Sequence, residues 1–413
     1  MELNLMSTDT VYPNINIVFD DSIFAVDDDR AFVCSVGQRF NSTITFPSYA
    51  DSIRIGGTPS QFNCPLTIPN NVTNVSSLFL SCSNFNQPVI IPNKVNNCMN
   101  MFKGCLSFNQ PLTIPNSVKI MSYMLYGCNS FNQPLTIPNS VTACGSIFAS
   151  STYNNIVTIE EGTLYVGSLF QSAIFFNSPV NIPDSVITAN SMFQGANSFN
   201  QPVNFGNNIT NLTMAFQSAT NFNSPVQINN ATLLYSMFYG CYFFNYPINI
   251  PEGVTNCGAM FSNVTMYNSS VIIPGTVKDC SYMFSGVNSC PYNVLNTRFG
   301  PTTNNALMQP IYVNMTNVTT TQYMFQYCNS MRELYIKNMV NNYQMNYMLR
   351  NNGSFRLNIY TDDDCMELMR TAPMLVNLGK PTWTEDATNN CIYNTVVNIY
   401  IYNTWNGVVP DFS

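Results

Sequence analysis

The motif Phe-Asn-Gln-Pro recurs at a spacing of 23 residues, and no other feature of the sequence restricts the fold as strongly. It occupies residues 85–88, 108–111 and 131–134. An aromatic residue followed by asparagine continues the series, with small shifts in spacing, at Phe62, Tyr153, Phe176, Phe199, Phe222, Phe244 and Tyr267. A fixed period of this length indicates a solenoid, in which each unit buries its apolar face only against its neighbours.

A single unit, residues 108–130, predicts the structure of one coil. Residues 112–114 (Leu-Thr-Ile) alternate apolar and polar side chains, as a short strand does, and the following Pro-Asn turns the chain. Residues 122–126 are predicted to form one short helical or 3₁₀ turn that ends at Gly127. The fold class predicted from these units is a β-rich α/β solenoid of about 12 coils of 22–23 residues, with one short parallel strand per coil and a cap at each end.

Two columns of aromatic residues should supply most of the core, because equivalent residues of stacked coils lie above one another. The first column is the Phe62–Tyr267 series described above. The second contains Phe79, Phe102, Leu125, Phe148, Phe170, Phe193, Phe216, Phe238, Phe261 and Phe284. The asparagine that follows each residue of the first column is predicted to face inward and to bond backbone groups of adjacent coils.

The 14 cysteines are predicted to be reduced and buried. Most of them share two repeat positions, and other coils place alanine, valine or methionine there, as expected for a small buried residue. The alternative of disulfides or a zinc site is weaker, because the chain has no Cys-x-x-Cys pair and no histidine. The acidic run Asp27–Asp29 lacks the spacing of a calcium loop, so no metal or cofactor is expected.

Charge is scarce, and this restricts the class of partner. Charged residues make up 8% of the chain, and 14 basic and 21 acidic residues give a net charge of −7. Nucleic-acid binding is not expected, since it requires clustered Lys and Arg. The N-terminus has no pattern of a secretory signal, and no apolar stretch reaches the ~18 residues of a membrane span, so no direct membrane insertion is expected. A surface of amides and hydroxyls suits uncharged partners such as glycans, although compositional drift toward asparagine explains it equally well.

The repeat pattern divides the chain into five predicted segments. Residues 1–55 are an N-terminal cap or anchoring segment with strands at 11–19 and 40–46, and residues 56–290 are the regular solenoid. Residues 291–321 are an inserted loop, residues 322–356 are the last divergent repeats, and residues 357–413 are a C-terminal cap. The cap is predicted to contain a first strand, a helix at 362–369 and a second strand at 395–402.

Two regions are candidates for binding. Exposed strand residues line one face of the solenoid, and the inserted loop projects from it. The candidate residues are Thr67, Thr113, Thr136 and Asn181 on the strands, and Thr302, Thr303, Asn304 and Asn305 in the loop. A plain solvated strand and a passive excursion are the alternatives. No catalytic residue is assigned, because the solenoid offers only the adjacent Glu160 and Glu161 as a carboxylate pair, and a variant turn accounts for them.

Residues 121–141 carry the resemblance to a known family. Met-x-Tyr-Gly-Cys-Asn-Ser-Phe is followed there by Leu-Thr-Ile-Pro-Asn-Ser-Val. This unit resembles the BspA-like leucine-rich repeat family, and the recurring Met-Phe pair is similar to the related repeat of bacterial surface lipoproteins. The resemblance covers roughly residues 55–356 in about a dozen copies.

The resemblance implies a non-enzymatic protein of adhesion or recognition. Such repeats also occur in bacteriophage virion proteins, so the first expectation is a fibre or decoration protein on the virion surface, assembled in the host cytoplasm. Its N-terminal segment would contact other virion or surface proteins, and its solenoid would bind a host or cell-surface protein or glycan. The alternative is a bacterial or protist cell-surface adhesin, and the third is a polysaccharide-active enzyme. A homo-oligomer is left open.

Overall fold

The computed structural model describes residues 25–26, 32–36, 44–45, 52–57, 62–267, 269, 271–287, 311–314, 317–328, 333–337, 357–361, 384–386, 391–393 and 397–401. The chain forms two compact units, Met1–Phe199 and Asn200–Ser413. Each unit is described by itself.

Parallel strands one coil apart build the N-terminal unit. Its strands are β1 (Ala25–Val26), β2 (Phe32–Val36), β3 (Ile44–Thr45), β4 (Ile53–Gly57), β5 (Leu66–Thr67), β6 (Leu135–Ile137) and β7 (Val157–Ile159). β1 and β2 are antiparallel, whereas β2 with β4, β3 with β5, and β6 with β7 are parallel. In the last two pairs, Ile44 lies beside Leu66 and Leu135 beside Val157, so the partners are 22 residues apart.

Parallel stacking begins before residue 55, so the segment predicted to cap the solenoid already pairs with its first coils. β3 already pairs with β5, and Ser52 forms a parallel bridge with Asn74. The N–H of Ile55 also donates to the carbonyl of Leu78, at 2.9 Å. The sequence carries the Phe-Asn signature here as well, because Phe40-Asn41 precedes β3 at the same distance as Phe62-Asn63 precedes β5, 22 residues further on. Of the predicted strand at 40–46, residues 44–45 are β3, and the predicted strand at 11–19 lies outside the described residues.

The segment predicted to be helical forms a chain of β-turns instead. In residues 75–82, every second N–H donates to the carbonyl three residues earlier, at 3.0–3.1 Å, and the N–H groups between them donate to the next coil at 2.8 Å. Ser77 and Ser81, each third in its turn, have φ of 59° and 60°, as a type II turn requires. The prediction of a helical or 3₁₀ turn is therefore wrong, since half of the donors bond the neighbouring coil and no helix occurs among the described residues.

Both predicted aromatic columns are buried, which confirms this part of the core prediction. Within one coil the rings of the two columns stack, as Phe79 and Phe85 do at a centroid distance of 4.1 Å. Between coils the same column stacks at wider spacing, with 5.9 Å between Phe85 and Phe108. The C-terminal unit repeats the arrangement, with 4.2 Å between Phe238 and Phe244. Offset stacking stabilises such pairs beyond the burial of their area.

The ten cysteines whose side chains the structure describes are buried, as predicted, and form no disulfide with one another. Several of them have a specific role in stacking the coils. The thiol of Cys105 donates to the carbonyl of Phe79 at 3.0 Å, and the thiol of Cys128 donates to that of Phe102 at 2.9 Å. Burial raises the pKa of the Cys128 thiol to about 12, which keeps it protonated as a donor.

One large sheet dominates the C-terminal unit. Its strands are β8 (Val203–Asn204), β9 (Val226–Gln227), β10 (Val271–Ile273), β11 (Ile311–Asn314), β12 (Glu333–Lys337), β13 (Leu357–Thr361), β14 (Thr384–Asp386), β15 (Cys391–Tyr393) and β16 (Val397–Ile401). β8 and β9 form a parallel pair, and the other seven form one sheet in the order β10-β11-β12-β13-β16-β15-β14. The first five strands in this order, β10-β11-β12-β13-β16, pair parallel with one another. β15 pairs antiparallel with both β16 and β14.

The prediction of a loop through residue 321 is wrong for its last part. β11 pairs with β10 and β12, and Thr320 bridges Asp279. Ile311, Tyr312 and Val313 are the register partners of Val271, Ile272 and Ile273, so β11 continues the sheet. Strands occupy 357–361 and 397–401, near both predicted cap strands. The first continues the parallel stack, whereas the predicted helix at 362–369 lies outside the described residues.

Candidate recognition surface

The predicted strand residues form an exposed column in the N-terminal unit. Thr67, Thr113, Thr136 and Asn181 are all exposed. Each is the middle residue of an apolar-polar-apolar triplet, and its two neighbours are buried, as the alternation of a strand requires. Thr136 lies directly beside Thr158, and the bridge between the preceding residues of the next two coils brings Asn181 beside Thr158.

The column extends beyond the residues singled out from the sequence. Thr158 belongs to it in the N-terminal unit, and Asn204 and Gln227 lie side by side at the same position in the C-terminal unit. These three residues could have been identified from the sequence, because each is the middle residue of an apolar-polar-apolar triplet. Ile90, 85% exposed, interrupts the polar residues. The predicted loop residues 302–305 lie outside the described residues.

The large sheet of the C-terminal unit pairs equivalent residues of successive strands. Ile272, whose side chain is 43% exposed, is the register partner of Tyr312. The partners that follow in the sheet are Tyr335, Tyr360 and Tyr400.

A ladder of asparagine side chains runs beside the strand column. The Oδ1 of Asn86 accepts from the backbone N–H of Asn109, at 2.9 Å, and from the Nε2 of Gln110, at 3.1 Å. The Oδ1 of Asn109 accepts the same pair of bonds from Asn132 and Gln133, at 3.0 and 3.2 Å. The predicted bonding between coils is confirmed, but the predicted inward orientation is wrong. These asparagines are partly or fully exposed, because the preceding aromatic residue already fills the core.

The only adjacent carboxylates of the solenoid are committed to its turns. Glu160 accepts from the backbone N–H of Asn139 at 2.9 Å, and Glu161 accepts from the N–H groups of Asp184 and Ser185 at 3.1 Å. The first reaches the preceding coil and the second reaches the following coil, so the two carboxylates diverge. This agrees with the interpretation of the pair as a variant turn and gives it no acid–base geometry.

Neither a metal cluster nor a membrane span occurs in the described parts of the chain. No three His, Cys, Asp or Glu side chains there come together to hold an ion. Within the same residues, no helix has the length and apolar character that crossing a bilayer requires.

One family profile matches most of the chain. The profile described as "Mycoplasma protein of unknown function, DUF285" matches residues 65–160, 163–224, 204–299 and 252–363. No curated protein matches the sequence.

Two solved structures are similar to the chain at low identity. A leucine-rich repeat protein from Bacteroides ovatus is 15% identical, with a TM-score of 0.46 over 79% of this chain and 76% of that protein. The pneumococcal vaccine antigen PcpA is 11% identical, with a TM-score of 0.49 over 84% of this chain and 82% of the antigen.

Proposed function

We propose, from the premise that the chain belongs to the Mycoplasma family of unknown function DUF285, that it is a non-enzymatic repeat protein of recognition or adhesion. The family match supports the BspA-like repeat predicted from the sequence. The proposal places the recognition surface on the strand column and the asparagine ladder of the N-terminal unit.

The observation that carries the proposal is the repetition of exposed, uncharged polar groups at the spacing of the coils. The hydroxyls of Thr136 and Thr158 lie in adjacent strands, which are about 4.8 Å apart. A repeating ligand that presents hydroxyls at intervals can meet several of them at once, and multiple weak contacts add up to avidity. An uncharged polar surface, such as the glycan coat of a cell, is the partner that this surface suits.

The arrangement gives little support to an enzyme. General acid–base catalysis needs carboxylates or other titratable groups that converge on one point. Glu160 and Glu161 instead bond the backbone of opposite neighbouring coils. The polysaccharide-active enzyme is therefore not proposed.

Two locations follow from the proposal. The first is the surface of a cell, which the resemblance to the BspA-like repeat of adhesion proteins favours and the family match supports. The second is the surface of a virion, for which the supporting observation is that the ten described thiols are buried and not in disulfides, because reduced cysteines suit assembly in a cytoplasm. In both cases the chain would contact other surface proteins through its N-terminal segment.

Fractionation of the source culture tests the location. Quantitative mass spectrometry of purified particles and of cell envelopes should find the protein enriched in one of the two. Enrichment in envelopes supports the cellular adhesin, and enrichment in particles supports the virion component. A protein that is depleted from both particles and envelopes, and enriched in the soluble extract of the cell, would have no surface role.

Charge substitution tests the recognition surface. The double variant Thr136→Lys with Thr158→Lys places two cations in the strand column, and Ser130→Lys places one at an exposed turn of the same unit. The purified double variant should bind cells or immobilised cell-surface glycans much more weakly than the natural protein, and Ser130→Lys should bind normally. Equal binding by all three proteins would exclude the strand column.

A further inference from the structure

We propose that three tyrosines of the C-terminal unit, Tyr235, Tyr282 and Tyr323, form a binding site for an uncharged saccharide ring. This cluster lies on the β-turn segment and not on the strand column. The inference rests on the proposed function as a recognition protein, and it gives that function a defined site and a ligand class.

Two of the tyrosines form an exposed stack. The rings of Tyr282 and Tyr323 lie 4.9 Å apart, centroid to centroid, with 21° between their planes. They occupy equivalent positions in adjacent coils, because the N–H of Tyr282 donates to the carbonyl of Gln322 at 2.9 Å. Tyr282 remains 41% exposed, so the stack presents aromatic surface to solvent.

The fold does not require a large side chain at the position of these two tyrosines. Tyr282 and Tyr323 have φ of 56° and 57°, in the left-handed region that the β-turns impose on the same position of other coils. Serine fills this position in the N-terminal unit, at Ser146, Ser168 and Ser191. Because the turn accepts a small residue here, the two aromatic rings are not needed to form it, and their exposure is consistent with a role in binding.

The third tyrosine packs on the coil that separates it from Tyr282. Tyr235 lies two coils before Tyr282, which corresponds to about 10 Å along the stack. The coil between them has Gly258 and Ala259 at these positions, so it contributes no large side chain. The Cδ2 atom of Tyr235 lies 3.3 Å from the position that a Cβ atom on Gly258 would take, so the ring of Tyr235 leans over this glycine toward the side of Tyr282.

A polar pair also lies over Gly258, beside the ring of Tyr235. The position that a Cβ atom on Gly258 would take is 3.3 Å from the Oδ1 of Asn256 and 3.4 Å from the Oδ1 of Asp279. The amide of Asn256 donates to the Oδ2 of Asp279 at 3.3 Å, and Ser281 donates to its Oδ1 through the backbone N–H at 2.9 Å and the hydroxyl at 2.7 Å. The carboxylate is thus held in one orientation beside the rings.

The chemistry of the site favours a neutral sugar. One face of a pyranose ring carries apolar C–H groups that pack on an aromatic ring, and its hydroxyls bond amides and carboxylates. An anionic ligand would meet the carboxylate of Asp279. The electrostatic environment agrees, because burial and then the nearby Tyr323 and Tyr235 raise the pKa of Tyr282 and keep its hydroxyl neutral as a donor.

The test uses the full chain and a panel of immobilised neutral oligosaccharides, with heparin as the anionic probe. The variant is Tyr282→Ser, which introduces the residue that other coils carry at this position. The matched control is Tyr123→Ser, the equivalent left-handed position of the N-terminal unit, with φ of 59°. We expect at least one neutral oligosaccharide to bind, Tyr282→Ser to weaken it about tenfold or more, and Tyr123→Ser to leave it unchanged.

The other outcomes overturn the site. These are binding to heparin alone, equal loss in Tyr282→Ser and Tyr123→Ser, or undiminished binding by Tyr282→Ser. Absence of binding to every neutral oligosaccharide also rejects it. The fractionation experiment does not depend on these residues, so an envelope or particle location with no saccharide binding would reject the site and leave the proposed function standing.

Discussion

A buried hydroxyl in the N-terminal unit gives the sharpest test of how the core is stabilised. The side chain of Thr163 is fully buried, and its Oγ1 has no hydrogen-bond partner among the described residues. Thr163 occupies a column that holds valine in the adjacent coils, at Val141 and Val186, both also fully buried. We predict that Thr163→Val stabilises the protein.

The magnitude follows from the cost of an unsatisfied polar group. Valine and threonine have almost the same shape, so the substitution opens no cavity and replaces a hydroxyl by a methyl group. Burying a hydroxyl without a hydrogen bond costs about 1–3 kcal/mol in proteins. Because the threonine hydroxyl can rotate toward nearby acceptors as the protein fluctuates, we expect a gain of about 1–2 kcal/mol in the free energy of unfolding.

Urea denaturation followed by circular dichroism measures the effect. Thr158→Val is the matched control, since Thr158 is exposed on a strand and its substitution should change the free energy of unfolding by less than about 0.5 kcal/mol. Thr321→Val repeats the test in the C-terminal unit, where a second buried hydroxyl has no partner among the described residues. The slopes of the transitions should not change.

A neutral or destabilising Thr163→Val would refute the reasoning. That result would mean that the hydroxyl is bonded in the folded protein, for instance to a buried water, and that the coil tolerates polarity at this position. Stabilisation by Thr158→Val of the same size would also refute it, because the gain would then come from β-propensity and not from burial.

Three further substitutions or conditions test other parts of the fold. Gly162→Ala should destabilise the protein by more than about 2 kcal/mol, because φ is 118° and the added carbon would clash with the carbonyl oxygen of Asn139. Gly253→Ala, with φ of 95° but open space around it, should cost less in the same urea assay. Phe170→Ala should cost about 3–5 kcal/mol, since its ring is fully buried and lies 3.8 Å from its nearest neighbouring ring; an unchanged urea midpoint would contradict this. Burial raises the pKa of the Cys144 thiol from 9.0 to about 12, so the unfolded thiol ionises above pH 9 while the folded one stays protonated. Stability should therefore fall between pH 9 and about 12, by roughly one kcal/mol per pH unit for this thiol, and Cys144→Ala should reduce the slope by one proton.

The sequence was sufficient to predict the aromatic core. Phe85 and Phe108 are 23 residues apart, and a column of equivalent residues follows from any stacking of equal coils. The same argument placed Thr113 and Thr136 at exposed positions, because alternation within a triplet decides which residue faces the solvent. Period and alternation are local patterns, so they can be read without knowing how the coils bond.

The turn segment could not be predicted in this way. Gly104 and Gly127 recur at a left-handed position, which is a real signal of a turn, but the first such position of the coil holds residues as different as Ser77 and Tyr123. Their conformation is imposed by N–H groups that bond the next coil. A pattern confined to one coil does not contain that interaction, and it therefore resembled a single helical turn.

The tyrosine cluster was missed for a related reason. Tyr282 and Tyr323 are 41 residues apart in the chain, which is more than one repeat, but their rings are adjacent in space. Only the pairing of the two coils reveals the shared position. The signal that could have identified them is the Tyr-Met-Phe sequence that begins at both residues.

The asparagine ladder gives successive coils the same hydrogen-bonding groups on both sides, so one coil can stack on another in the same way. Asn86 offers the next coil the same acceptor that Asn109 offers to the one after it. Unequal recombination between the similar DNA stretches could therefore add or remove 23 codons at a time without leaving a mismatched junction. The number of coils, and with it the length of the uncharged strand column, can then change rapidly between lineages. The tyrosine cluster lies on the β-turn segment and its residues differ from coil to coil, so adding or removing coils elsewhere would leave it as a single site.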